Sequence, residues 1–399
     1  MSVKRPSTPT GLRRRHGINH EEIAIGQAVN STRFPIELTE LITDGQFGPI
    51  MKGSMKRRAP KPVCIKFSGL HEDDAEGYEN EVKVLTELRQ SGGDANGIIV
   101  FYDTIAGRSM KGLVFELGVE TLESYLEQDY HFSVIETRPI LFQLLRMARC
   151  LANNNLAHRQ VCPKNIMITT KNGGQLNLKL IDFKDACRFG TVTKPPVFGE
   201  YRRNRVVYRS PEEILGAKWS QNSGDLWSMA LIAACMVYEH EMFHGNNDFA
   251  VLGQIVKIFK MPTKKMIDES EFGDMYFTDN EERHKPDEFN NHLKEHHYRI
   301  KTKEEMLEMG LRNEDVDQDD EISDFSWADA KAERMSMVEK QDLFVFQKLL
   351  KQILVWDPKQ RLTAEMALDN KFFSRSILAR NISAEYANKC AEAMAGLPF

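Results

Sequence analysis

The spacing of apolar positions changes period partway along the chain. From Ile36 to Lys66, short apolar runs broken by Gly and Pro have the length and composition of strands. Residues 76–90, EGYENEVKVLTELRQ, then take helical spacing, which puts Val82, Leu85 and Leu88 on one predicted face. GIIVFYDTI (97–105) and GLVFELG (112–118) return to the pattern of buried strands. From Leu122 onward helical spacing dominates, most clearly in RPILFQLLRMARCLANNNL (138–156). NIMITTKNGGQLNLKLIDF (165–183) reads as a hairpin, with Asn172-Gly173 supplying the positive φ of its turn. Strands first and helices later predict an α+β chain, a small sheet-rich lobe joined to a larger helical one.

The flanks have a different texture. Residues 1 to about 20 are rich in Arg, Pro, Ser and Thr and lack periodicity, so a basic disordered tail is expected over 1–33. Its Arg13-Arg14-Arg15 cluster reads as solvated rather than as an import or phosphate-binding patch. The folded domain is expected over 34–373, with lobes 34–117 and 118–373. Residues 265–342 are highly charged and include the acidic NEDVDQDDEISDF, which reads as a surface insertion, partly mobile. Within the tail expected at 374–399, SAEYANKCAEAMAGL has the spacing of an amphipathic helix that packs on the helical lobe.

Composition narrows the class without deciding it. The 399 residues are 41% hydrophobic and 28% charged, enough to bury a core and ordinary for a soluble globular protein. A net charge of −5 gives no reason to expect nucleic acid or an anionic membrane as partner. The six cysteines are scattered, with no C-x-x-C pair, which suits a reducing compartment, cytoplasmic or nuclear. The basic N-terminus has no apolar core and does not read as a signal peptide. No run approaches the roughly 20 apolar residues of a membrane helix.

Candidate chemistry comes in three stretches. LITDGQFGPIMKG (41–53) has Gly45 and Gly48, whose lack of Cβ lets backbone N–H groups approach phosphates. Thr43 stands where the first glycine of such a loop belongs. In VCIK (63–66), strand alternation puts Cys64 and Lys66 on one face, and Glu81 is a suitable partner for Lys66 one helix downstream. In LAHRQVCPKNIMI (156–168) and LKLIDFKDA (178–186), Asn165 and Asp182 offer the oxygen ligands that magnesium prefers. The hairpin between them returns one to the other. HLKEH (292–296) fits a zinc-peptidase spacing, and DVDQDDEISDFS begins like a calcium loop. The first lies in a charged insertion without an evident core. The second lacks the required Gly and Glu, so both are set aside.

In this order the stretches resemble the eukaryotic protein kinases, from about Ile36 to Phe373. YRSPEEILG (208–216) resembles the end of an activation segment, and SGDLWSMA (223–230) the buried helix anchoring the large lobe. WDPKQRLTAEMAL (356–368) resembles the closing motif, whose Arg361 is expected to pair with Glu212. LVFELG, VKIFKMPTKKMI and the insertion after it resemble the branch that holds the cyclin-dependent and mitogen-activated kinases. Within that branch the dual-specificity tyrosine-regulated and homeodomain-interacting kinases are nearest. The resemblance implies a bilobal fold, ATP and magnesium as cofactors, and proteins as partners or substrates. It carries nucleotide contacts onto Ile42, Gly45, Phe47, Gly48, Ile50, Cys64, Lys66, Phe115, Glu116, Leu117 and Met167, and metal contacts onto Asn165 and Asp182.

Departures from the pattern fall on transfer. Gln160 stands at the position of the catalytic Asp, and a carboxamide cannot accept the substrate proton near pH 7. General-base help is worth about 10²–10⁴-fold. Cys162 replaces the loop's Lys, and Lys184 replaces the Gly after Asp182 and Phe183. Arg202, with Tyr201 beside it, stands where the nearest kinases carry a phosphorylated tyrosine. Lys66, Glu81, Asn165 and Asp182 remain. Two functions are open: a pseudokinase that binds ATP and presents a surface to partners, or a weak Ser/Thr kinase in which Asp182 or Asp185 handles the proton.

Overall fold

The computed structural model describes residues 23–45, 48–69, 72–107, 110–128, 131–172, 175–189, 203–217, 224–279, 298–309, 327, 335–374 and 383–397. They form two compact units. The first holds the described residues up to Asp94 together with Ile99–Gly118. The second holds Ala95–Ile98 and the described residues from Val119 on.

The first unit is a six-stranded antiparallel sheet. Its strands are β1 (Ala28–Asn30), β2 (Pro35–Gly45), β3 (Gly48–Met55), β4 (Lys61–Ser68), β5 (Phe101–Ala106) and β6 (Lys111–Glu116), in the order β1-β2-β3-β4-β6-β5. Alternation sorts β4: Val63, Ile65 and Phe67 enter a core with Ile36, Leu38, Met51, Met55 and Val114, leaving Cys64 and Lys66 half-buried on the other face. The sheet starts upstream of the expected boundary at residue 34. Val29 of β1 is buried in the core, and Ser31 and Thr32 donate side-chain hydrogen bonds to the Asp103 carboxylate. Few residues are involved, so no periodicity shows in the sequence. Helix α1 (Glu72–Gln90) buries Glu81, Val84, Leu85 and Leu88. Val82, expected on that face, sits half-buried at its edge, because the buried stripe runs through Val84.

The second unit is mostly helical. Helix α2 (Leu122–Leu126) is short, and α3 (Val134–Asn153) begins four residues before the predicted Arg138. A capping box explains this: Ser133 Oγ accepts from the Glu136 N–H, and the Glu136 carboxylate accepts from the Ser133 N–H. Strands β7 (Ile166–Asn172) and β8 (Gln175–Leu180) form the predicted hairpin, Asn172 opposite Gln175; Gly173 lies outside the described residues. Helix Gly224–Tyr238 is apolar almost all round and buried almost throughout, Trp227 included, and packs on α3.

The described parts of the expected insertion at 265–342 are regular structure. Helices Lys264–Asp268, Gly273–Tyr276 and Lys303–Glu308 flank a pair of antiparallel strands, Phe277–Asp279 and Tyr298–Ile300. Tyr276, Phe277 and Met306 are buried. Helix Met337–Ile353, which starts inside the expected insertion, buries Leu343, Phe346, Leu349, Leu350 and Ile353. The acidic stretch and HLKEH lie outside the described residues. The tail helix Ala384–Ala393 packs on α3, its Tyr386 Oη donating to Asp342 Oδ2 at 3.0 Å. Asp342 in turn pairs with buried Arg138 at 2.5 Å. Among the described residues no helix is long and apolar enough to cross a membrane.

Candidate active site

In the sheet unit, Lys66 Nζ lies 2.8 Å from Glu81 Oε2, and the Glu81 side chain is only 3% exposed. A carboxylate so buried needs a cation, so the pair expected from the sequence is a formed ion pair and fastens α1 to β4. Lys66 sits opposite Ile50 on β3 and Leu113 on β6. Cys64 sits opposite Phe115. Burial pushes the Cys64 thiol up to about 11, against the pull of Lys66, so it stays protonated at neutral pH.

Gly45 and Gly48 face each other at the closed end of the β2–β3 ribbon, and Gly48 has φ 151°. Phe47 lies outside the described residues. Ile42 is 48% exposed on β2. Glu116, at the end of β6, accepts from the Val100 N–H at 2.9 Å, so its side chain braces β5 against β6. Leu117 is half-buried in this unit, and Met167 is half-buried on β7 in the other.

The loop from His158 to Asn165 is built from backbone capture. Asp225, in the first turn of helix Gly224–Tyr238, accepts from the His158 N–H at 2.6 Å and the Arg159 N–H at 2.8 Å. That double acceptance holds Arg159 in the left-handed region, φ 66°. His158 Nε2 meets the Ile181 carbonyl at 2.9 Å, and Nδ1 faces the Gln160 N–H at 3.2 Å, so the two bonds select the Nε2–H tautomer. The His158 ring stands edge-on to fully buried Phe183 at 4.7 Å. Asn165 Nδ2 donates to the Gln160 carbonyl at 2.8 Å, and its own carbonyl accepts from the Ile181 N–H at 3.0 Å. The hairpin therefore returns the chain to Asn165 at Ile181, the residue before Asp182.

The three departures occupy this loop physically. The Gln160 carboxamide donates through Nε2 to Asp185 Oδ2 at 3.0 Å. Cys162 is 5% exposed, whereas Lys164, two residues on, is exposed, so the two side chains do not share a direction. Lys184 Nζ lies 3.4 Å from Asp182 Oδ2, with Asp182 itself at φ 67°. Arg202 and Tyr201 lie outside the described residues. Sequence reasoning passed over Asp225 as loop organiser and the Gln160–Asp185 bond. For Asp225 a signal existed, an acid opening an otherwise apolar helix in GDLWSMA. For Asp185 there was none beyond proximity to Asp182.

Magnesium finds the right donor chemistry at Asn165 and Asp182, both oxygen ligands. The fit is incomplete, because Asp182 already carries a cation, the Lys184 ammonium. Among the described residues no group of three or more His, Cys, Asp or Glu forms a metal cluster.

The ordered stretches, the Lys66–Glu81 pair and the captured loop are those of a protein kinase fold. A family profile for the protein kinase domain matches residues 36–373, and the chain belongs to that family. It is 25% identical over 369 residues to homeodomain-interacting protein kinase 1 of Caenorhabditis elegans, covering 90% of this chain and 42% of that protein. It is 26% identical over 373 residues to the Mus musculus protein of the same name, covering 90% of this chain and 29% of that protein. A third relative, named probable serine/threonine-protein kinase dyrk2, of Dictyostelium discoideum, is 26% identical over 351 residues, 86% of this chain and 33% of that protein. The chain thus spans less than half the length of each of these relatives.

Proposed function

We propose that this chain is a pseudokinase, a protein-kinase domain that binds ATP, transfers phosphate extremely slowly or not at all, and acts by presenting a surface to protein partners. One asymmetry carries the proposal. The Lys66–Glu81 pair is formed at 2.8 Å and Asn165 and Asp182 are retained, while position 160 carries a carboxamide bonded to Asp185 and position 162 a buried thiol. A carboxamide has no proton affinity to lend, and a buried thiol is not the ammonium that a moving phosphoryl group would meet from a Lys. In the sheet unit, nucleotide recognition falls to Lys66 and the glycine ribbon. Asn165 and Asp182 offer the oxygen donors that a metal would take, with the Lys184 ammonium already beside Asp182. A metal held there would supply positive charge against the phosphates.

Relatives named for interacting with homeodomain proteins support protein partners, and we extend that class, not that identity, to this chain. Six scattered cysteines with no C-x-x-C pair fit a reducing compartment, cytoplasm or nucleus.

A second reading, a weak protein Ser/Thr kinase, is favoured by the Asp185 carboxylate, which lies one hydrogen bond from the position of the missing base. The test titrates ATP into the purified chain by calorimetry, beside Lys66→Met. Saturable binding that the variant loses is expected; no heat and no thermal shift with wild type would contradict nucleotide binding. Phosphoryl transfer abolished by Asp185→Asn would establish the second reading.

A further inference from the structure

Lys184 stands where the kinase pattern has a glycine, and its ammonium lies 3.4 Å from Asp182 Oδ2. The two side chains are 25% and 23% exposed, so both charges still face solvent on one side. Between them in sequence, Phe183 is fully buried against the His158 ring. Asp182 is held at φ 67°, in the same turn. The residue between the two charges is therefore pinned, and the pair is not the chance meeting of two mobile side chains.

We infer that Lys184 takes the place of the divalent cation at Asp182, so that the chain binds nucleotide without a metal ion. This rests on the nucleotide-binding reading above and specifies its cation. A phosphate chain approaching Asp182 needs positive charge between itself and the carboxylate. An ammonium supplies that as a point charge with three donors. A divalent ion entering the same carboxylate meets the resident cation, and like charges at such distances oppose each other. Magnesium therefore adds little affinity. The substitution also fits a chain without transfer. An ammonium neutralises phosphate but cannot gather several phosphate oxygens into the octahedral frame that a magnesium ion imposes.

The experiment measures ATP affinity of the full chain in EDTA and in excess magnesium, by calorimetry, for wild type, Lys184→Met, Lys184→Gly and Lys184→Arg. Melting temperatures without ligand establish that each variant is folded. Wild type is expected to bind with Kd values within about threefold in the two buffers, and Lys184→Arg likewise. Lys184→Met and Lys184→Gly are expected to lose about tenfold or more in EDTA and to recover it in magnesium. Wild type that binds only with magnesium overturns the inference and leaves nucleotide binding standing. Metal-free binding unchanged in Lys184→Met overturns the role of Lys184. No binding by wild type in either buffer overturns both.

Discussion

Gln160 does more than lack an acid, because its carboxamide is matched to the carboxylate of Asp185 at 3.0 Å. Replacing it by Asp would set two carboxylates face to face. At about 4 Å such a pair repels by roughly 1–4 kcal/mol between the limits of bulk water and protein surface. Gln160→Asp alone is expected to melt below wild type at pH 7, and Gln160→Asp with Asp185→Asn to regain most of the loss. Equal melting temperatures for the single and double variants would contradict the pairing. The departure at position 160 was legible only through the family resemblance, with His158, Pro163 and Asn165 framing it. Its partner was not legible, because the turn that brings Asp185 back depends on Asp182 adopting φ 67°, a conformation that residue type does not announce. Asp103 shows the same limit. Burial alone would raise its carboxyl, but hydrogen bonds from Ser31, Thr32 and the N–H groups of Thr104 and Arg33 outweigh that and hold it below its ordinary value. A depressed carboxyl contributes stability that is complete above the unfolded-state pKa and is lost as pH falls through the folded one. The melting temperature of Asp103→Asn should therefore fall less steeply than that of wild type below about pH 4.

At the scale of elements, the strand and helix types followed the apolar period, and the errors lie at boundaries. Helix α3 was placed from its apolar stripe beginning at Arg138, while its true start is written in the short S-x-x-E of Ser133 and Glu136. Ser133→Ala should cost about 1 kcal/mol of stability, read by urea denaturation, with Glu136→Ala removing a similar share. Helix Met337–Ile353 was hidden because it follows a long charged stretch, although its Leu343, Phe346 and Leu350 keep the helical interval. The Arg361–Glu212 pair was visible only through the family pattern, since 149 residues separate the partners. The structure shows it bidentate, at 2.6 and 2.9 Å, with both side chains fully buried. Arg361→Met leaves a buried carboxylate without that fork and should lower stability by about 3–5 kcal/mol. A loss under 1 kcal/mol would mean that water or another cation reaches Glu212.

At the scale of the whole molecule, two units of different architecture carry different halves of a kinase's equipment. The sheet unit holds the Lys66–Glu81 pair, and the helical unit holds Asn165 and Asp182 together with the Gln160 carboxamide and the Cys162 thiol. The order of those groups along the chain, and the change from strand period to helix period near Gly118, made this division readable in the sequence. The start of the sheet at Ala28 was not, because a three-residue strand with one buried side chain has no period to detect. The central claim is that binding outlives transfer. Its most direct test is incorporation of radiolabelled phosphate from magnesium ATP into a generic basic protein, wild type beside Asp182→Asn, at equal protein concentration. Wild type is expected to incorporate no more label than the variant. Label that accumulates with wild type and disappears in Asp182→Asn would show a working kinase and contradict the claim.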